Sequence, residues 1–385
     1  MKSTQATIND VARLAGVSKA TVSAVLNDTG TVKRSTRDRV LSAIESLNYR
    51  KSGPDTRGGG SQVRSLGLVI KEIDNPYYGE VVTGARAAAE QAGYTLLVMS
   101  SEGEHDSERR AVGLAQAKGV DGLIITPVLD QTADLSHLFE LKRRNLPFVL
   151  LEEVLGVQAS LVDVDNQSAS RKAVEFLIEQ GHARIAHFAG PAYSMHTQER
   201  IDGVRRACSA SHIIFGDDDV VPAGAHAENG YRAGLEYFRG RDGADRPTAV
   251  TCYNDLVAIG LCRALTELGI RVPDDVSVVG FDDIQLLEYL PLRLTSVRMP
   301  KFEMGELAAQ MLIRHIESRE TLPPQKVYLE AELVVRDSTR SATQKPASRP
   351  SRIRMSTAAA GDGTGASDGT AAAAGTARST SRAAR

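Results

Sequence analysis

From residue 65 to residue 280 the chain alternates short apolar runs with longer stretches of helical period, and this alternation constrains its fold more than any other feature. Apolar runs at 66–70, 95–99, 122–125 and 148–151 are too short for stable helices and read as strands. Between them, 78–91, 106–117 and 134–144 carry apolar residues at helical spacing. A second set follows, with strands expected at 185–189, 249–252 and 276–280 and helices at 168–180, 198–210, 229–238 and 256–268. Strands separated by helices pair in parallel, and the helices cover both faces of the sheet. The expected body is therefore α/β, two doubly wound lobes that face each other. Ligands in such folds sit beyond the carboxyl ends of the strands, so one site in the cleft between the lobes is expected.

The first 50 residues follow a different rule. Ile8, Val11, Ala12 and Ala15 recur at helical spacing, Gly16-Val17-Ser18 interrupts them, and Val22, Val25 and Leu26 resume the period. Thr7 can cap the first helix with Asp10 completing a short capping box, Gly16 can end it in the left-handed conformation, and Ser18 can cap the second. Neither helix is long enough to stand alone. A third over 35–47, with Val40, Leu41, Ile44 and Leu47 on one face, is expected to complete the unit. Two helices joined by a tight turn and packed on a third form a helix-turn-helix, an all-α headpiece.

The polar positions of the second helix then decide what the unit does, since its N-terminal half fits a major groove. Thr7, Ser18, Lys19, Ala20, Thr21, Ser23, Ala24 and Asn27 are the candidate DNA-contacting residues. Lysine can donate to guanine O6 and N7, the alanines can touch a thymine methyl, and the hydroxyls and the amide can reach phosphates or base edges. Charge supports this reading. Residues 1–64 hold 11 Lys/Arg against 5 Asp/Glu, residues 338–385 hold 8 against 2, and the body between holds 27 against 41. A basic head on an acidic body suits a protein whose head meets phosphates while its body is repelled by them.

Val17-Ser18-Lys19-Ala20-Thr21-Val22-Ser23-Ala24-Val25-Leu26-Asn27 and Leu47-Asn48-Tyr49 closely resemble the headpiece of the lactose/galactose-repressor (LacI/GalR) family. The resemblance continues through Asp74-Asn75-Pro76-Tyr77-Tyr78, Asp165-Asn166, Tyr253-Asn254-Asp255 and Gly280-Phe281-Asp282-Asp283, and so spans about residues 5–337. It implies a type I periplasmic-binding-protein-like body in which the chain crosses between lobes three times. The expected division is a headpiece over 1–50, a linker over 51–64, a core over 65–337 and a disordered tail over 338–385. Within the core, an N-lobe of 65–164 and 297–320 faces a C-lobe of 165–296 and 321–337. The tail is nearly free of aliphatic and aromatic residues and cannot bury enough apolar surface to offset its chain entropy.

In the family the linker becomes a short hinge helix on DNA, with a leucine wedged into the minor groove. Gly58 stands at that leucine's position here, in a segment that also holds Gly53-Pro54 and Gly59-Gly60. Glycine and proline at this density oppose a helix.

Candidate effector-binding residues fall at strand ends or first helical turns: Tyr77, Tyr78, Asp165, Asn166, Ser194, His196, Arg200, Asn254 and Asp255. Aromatic faces stack on sugar C–H surfaces or flat bases, while carboxylate, amide and guanidinium groups satisfy hydroxyls that both donate and accept. By the resemblance, Arg200 and Asp255 contact the effector, and Ala225 stands where purine-binding members place an aromatic ring. A sugar or sugar-like effector is therefore expected ahead of a nucleobase. Phe281-Asp282-Asp283 reads equally well as cleft wall or as the turn closing the last buried strand.

Other function classes find less support. The patterns G-x-S-x-G, H-E-x-x-H, C-x-x-C and the phosphate loop are absent, so no catalytic residues, metal or cofactor are expected. His182 and His187 read as packing residues, and Cys208, Cys252 and Cys262 as free thiols. An exported solute-binding protein has no use for the head, and a cleft enzyme would need a convergent acid, base or metal set. With no apolar run of about 18 residues and no signal-peptide core, a cytoplasmic location without membrane contact is expected. The combined expectation is a homodimeric repressor on a pseudo-palindromic DNA operator, its two heads reading two half-sites under control of a small-molecule effector.

Overall fold

The computed structural model describes residues 7–26, 32–47, 64–129, 134–318, 320 and 322–342. Asn27 and linker residues 48–63, including Gly53, Gly58 and their neighbours, lie outside the described residues, as do residues 343–385.

The head is three helices: α1 (Ile8–Ala15), α2 (Lys19–Leu26) and α3 (Arg34–Ser46). Its caps are those the residues call for. Thr7 N donates to Asp10 at 2.9 Å, Thr7 Oγ1 accepts from the Asp10 amide, and Gly16 ends α1 at φ 63°. The Thr21 amide donates to Ser18 Oγ at 3.1 Å at the entry to α2. Val11, Ala12, Ala15, Val22, Val25, Val40 and Ala43 form the small core. Leu41 is a correction, since it is 45 % exposed and Ala43 fills the place expected for it. The buried stripe of α3 runs 40, 43, 44, 47, and a residue directly after Val40 is turned about 100° away from it.

The body begins with β1 (Ser65–Ile70), α4 (Pro76–Gln91), β2 (Thr95–Ser100), α5 (His105–Lys118) and β3 (Gly122–Ile125). It continues through α6 (Ser136–Arg143), β4 (Phe148–Leu150) and β5 (Ser160–Val164). A second set follows: α7 (Asn166–Glu179), β6 (Ile185–Ala189), α8 (Met195–Ala210), β7 (Val220–Pro222), α9 (Ala227–Phe238), β8 (Ala249–Cys252), α10 (Asp255–Glu267) and β9 (Ser277–Asp282). Four elements close the described chain: β10 (Thr295–Arg298), α11 (Lys301–Glu317), β11 (Lys326–Leu329) and β12 (Glu332–Val334).

Two six-stranded sheets result, in the orders β11-β5-β4-β3-β1-β2 and β12-β10-β9-β8-β6-β7. Every pairing is parallel except β10 with β12. The chain crosses between lobes three times, after β5, after β10 and after β11. Both later crossings fall after the positions expected. β10 is still bonded to β9 in the second sheet, and β11 pairs with β5 in the first, so residues 326–329 belong to the N-lobe. Short edge strands of mixed polarity carry too little periodicity to be assigned to a sheet before their hydrogen-bond partners are known.

Each sheet is covered on both faces. In the N-lobe α4 and α11 pack against each other so closely that a Cβ at Gly84 would overlap the Phe302 carbonyl and one at Gly305 the Val81 carbonyl. Those two glycines let the helix backbones touch. The order also extends past the expected edge of the tail. Ser338 is fully buried, its hydroxyl donating to the Val278 carbonyl at 2.6 Å, and the Ala342 amide donates to Gln180 O at 2.9 Å. Hydrogen bonds to a strand and to a helix end need no apolar side chains, so composition does not reveal that residues 338–342 are held to the body. His182 bonds Thr248 Oγ1 and the Arg340 carbonyl, both at 3.0 Å, as a packing histidine. The three cysteines are free.

Candidate functional site

On the head, Ser18, Lys19 and Ala20 are exposed, Thr21, Ser23 and Ala24 half-buried, and Val22 and Val25 buried. The polar edge of α2 therefore faces water along one side while its apolar edge packs on α1 and α3. Thr7 is exposed, but its hydroxyl is tied to Asp10 at 2.6 Å.

In the body, a cavity of about 40 Å³ lies between the lobes, lined by Lys71, Thr126, Glu152, His196, Arg200 and Asp282 together with Tyr77, Tyr78, Tyr253 and Asn254. Lys71 directly follows β1, Thr126 follows β3, Glu152 lies two residues after β4, and Asp282 ends β9. The site thus sits where parallel sheets place ligands, at the carboxyl ends of the strands. Lys71 and Glu152 form an ion pair, their side chains 6 % and 0 % exposed. Burial alone pushes Glu152 up, but Lys71, His196 and the Met195 amide hold it below the ordinary carboxylate range. Burial pulls Lys71 down, and Glu152 more than reverses this. His196 Nε2 lies 3.1 Å from Asp163, and its pKa is raised because Glu152 and Asp163 outweigh the burial that lowers it.

Arg200 is held from three sides. Its Nε donates to Asn166 Oδ1 at 3.0 Å, its Nη1 to the Tyr253 carbonyl, and its guanidinium stacks 3.7 Å from the centre of the Phe281 ring. Below it, burial and the Arg200 charge push His187 down to about 3, so this histidine is neutral. Asp282 is pushed up to about 6 by burial, against the pull of Arg200, Lys301 and His196. Its backbone has φ 109° and that of Asp283 φ 52°. Non-glycine residues at positive φ store strain, here held by Lys301 Nζ donating to both carbonyls, at 2.5 and 3.0 Å. The segment 281–283 is therefore both turn and cleft wall. Thr126 Oγ1 is buried without a hydrogen-bond partner in the cavity lining.

The structure gathers Tyr77, Tyr78, His196, Arg200 and Asn254 around the cavity. Asn254 also caps α10, its Oδ1 accepting from Val257 N while its Nδ2 donates to the Ala225 carbonyl. Asn166 supports Arg200 from behind, and Ser194 donates to Glu152 at 3.0 Å. Two further expected residues lie behind the cavity lining. Asp165 caps α7 through the Ser168 amide, away from the cavity lining. Asp255 is wholly buried beneath the β9 turn, accepting from Ile284 N at 2.8 Å and Ser296 Oγ at 2.6 Å, and its carboxyl is pushed well up by burial and Asp282. Its position on the first turn of α10 points it at the sheet, a direction spacing alone does not give. Lys71, Thr126 and Glu152 were missed, although each stands just past an expected strand, and that position was the signal that would have found them.

A wider groove of about 390 Å³ lies at the amino ends of β4 and β5, with Lys142, Asn145 and Leu322 exposed on its walls. Among the described residues no group of three metal-ligating side chains occurs, and no helix is long and apolar enough to cross a membrane.

Comparison with known proteins agrees with this arrangement. Residues 7–52 match the model of bacterial regulatory proteins of the lacI family, and residues 174–339 match that of a periplasmic binding protein-like domain. The chain is 32 % identical over 337 residues to the HTH-type transcriptional repressor PurR of Vibrio vulnificus, covering 87 % of this chain and 99 % of that one. The PurR repressor of Vibrio parahaemolyticus is 33 % identical with the same coverage. Among solved structures, the complex of the transcriptional regulator CelR with cellobiose superposes with a TM-score of 0.65 at 32 % identity, covering 86 % of this chain and 99 % of that one. The lac repressor dimer bound to operator and the anti-inducer ONPF gives a TM-score of 0.65 at 27 % identity over 88 % of this chain and 100 % of that one. With a lacI-family head, a periplasmic binding protein-like body and relatives above 30 % identity along nearly their whole length, the chain belongs to the LacI family as a DNA-binding transcriptional repressor.

Proposed function

We propose that this repressor acts as a homodimer on a pseudo-palindromic operator in the cytoplasm and that a neutral, sugar-like molecule in the interlobe cleft tunes its affinity for DNA. The observation that carries the effector reading is the way the cavity's charges are held: Lys71 is paired with Glu152 and His196 with Asp163, while Arg200 is fixed by Asn166, the Tyr253 carbonyl and the Phe281 ring. Asp282, Arg200 and the unpartnered Thr126 hydroxyl offer acceptor and donor groups that adjacent hydroxyls satisfy in pairs, with Tyr77 and Tyr78 as apolar walls. CelR, a structural relative, binds cellobiose.

A purine effector is the second reading, favoured by the name of the PurR relatives. Against it stands Ala225, which offers no ring face for stacking. Thermal-shift and calorimetric titration with neutral sugars, including cellobiose and ribose, beside purine bases separates the two, because a ligand that binds only the folded state raises its stability. Stabilisation by a purine base and by no sugar would overturn the sugar reading.

On the head, Lys19 is assigned to a base edge, and Ser18, Thr21 and Ser23 to phosphates or bases. The dimer reading rests on β2, an outer strand whose Leu97 and Val98 are each 39 % exposed, an edge that a second copy would cover.

A further inference from the structure

Four consecutive residues of the C-lobe reach across the cleft. Tyr193 OH donates to Glu72 Oε1 at 2.7 Å, Ser194 Oγ and the Met195 amide donate to Glu152 Oε1 at 3.0 and 2.5 Å, and His196 lies against Asp163. The Leu129 amide donates back to the Tyr193 carbonyl at 2.9 Å. The acceptors Glu72, Glu152 and Asp163 are 6 %, 0 % and 2 % exposed and all belong to the N-lobe. His226 adds a weaker approach to Glu72, at 3.8 Å. The Tyr193 ring lies on Gly103, where an added Cβ would come within 3.1 Å of it, so the ring is seated on backbone.

Each of these contacts joins two groups of the protein itself. A carboxylate that has left water is costly without donors, and bonds to charged acceptors are roughly twice as strong as neutral ones. The turn at 193–196 supplies donors to three such carboxylates from one rigid point, the start of α8. The space left inside, about 40 Å³, holds roughly three water molecules and no sugar or base.

We propose that Tyr193–His196 is a latch that holds the two lobes together across the cleft, so that a ligand enters only from an open state that the latch keeps minor. The apparent affinity for any ligand is then lowered by the fraction of molecules that are open. Loosening the latch raises the rate of entry whatever the ligand's class, and this inference does not depend on the sugar reading.

The test uses the full-length, unliganded protein with spin labels at Glu104→Cys and Glu228→Cys, exposed positions on the two sides of the cleft mouth, in a Cys262→Ala background. Pulsed dipolar spectroscopy reads the separation. The parent should give one narrow short distance. Tyr193→Phe with Ser194→Ala removes two cross-cleft donors while leaving every carboxylate in place. It should raise a longer-distance population at least about tenfold. Tyr289→Phe, which removes an exposed hydroxyl outside the cavity lining, should leave the parent distribution unchanged. A parent already dominated by the longer distance, or a folded double variant with the parent's distribution, would overturn the latch. A mobility shift on operator DNA, run beside it, reports the regulator reading separately.

Discussion

The head and the cleft solve recognition in opposite ways. The head keeps Ser18, Lys19 and Ala20 in water at the entry and first turn of one eight-residue helix, contiguous in sequence and without buried charge. The cleft draws Lys71, Thr126, Glu152, His196, Arg200 and Asp282 from separate strand ends and helix starts and removes them from water. Each head residue therefore acts nearly alone, whereas each cleft residue sets the charge state of its neighbours. Mutations should spread their effects in the cleft and confine them in the head.

The largest expected effect is in the cleft. Glu152→Leu leaves Lys71 charged and unpaired in a dry site and should cost about 3–5 kcal/mol of stability in urea unfolding. Adding Lys71→Met should recover most of that loss. A double variant as unstable as the single one would show that the pair is not what holds this wall.

Asp255 tests what supports the cleft wall from behind. Removing its two accepted bonds by Asp255→Ala should cost about 1–3 kcal/mol, while Asp255→Asn, which can still accept from Ile284 N, should cost less. The pH sign follows from the raised pKa. Above its ordinary value of 3.8 the unfolded chain ionises while the folded one keeps its proton, so this residue's contribution to stability falls as pH rises from about 4. Asp282, pushed up to about 6, acts in the same direction between those values. Denaturation midpoints of the parent should therefore decline over this window relative to those of Asp255→Asn. Parallel pH profiles would mean that Asp255 is ionised in the fold.

In the head, Lys19→Ala should lose roughly 1–3 kcal/mol of discrimination at one base pair per half-site with little change in stability. Equal weakening on operator and random DNA, measured by mobility shift, would move Lys19 from a base edge to a phosphate.

The smallest effect concerns the join between the two regions. Gly58 and its neighbours lie outside the described residues, and their composition alone supports the expectation. Glycine costs a helix about 1 kcal/mol and proline about 3. Operator bending should then be weaker than is usual in the family, and ligand should change operator affinity only modestly. Circularly permuted operator fragments and paired titrations measure both. A strong central kink lost on adding ligand would show that the segment folds on DNA.

Much of this molecule was legible before any coordinates. Apolar periodicity located the helices of the head and most strands of the body, because burial of one face is a local property repeated along the chain. Thr7, Gly16 and Ser18 marked helix ends for an equally local reason, the backbone groups left over at a terminus. The candidate head residues followed directly, since an exposed helix edge is read from spacing.

Tertiary structure alone decided the rest. Which sheet takes β10 and β11 depends on partners more than 100 residues away for β11, and no local pattern encodes that. Asp255 and Asp282 are both acidic residues near strand ends, yet one is sealed under a turn and the other faces the cavity, because the direction of a side chain is set by the packing around it. The pairing of Lys71 with Glu152, and the reach of Tyr193 to Glu72, exist only once two lobes close on each other. Electrostatic partners in a dry cleft are chosen by distance in space, and sequence carries that distance only through the fold.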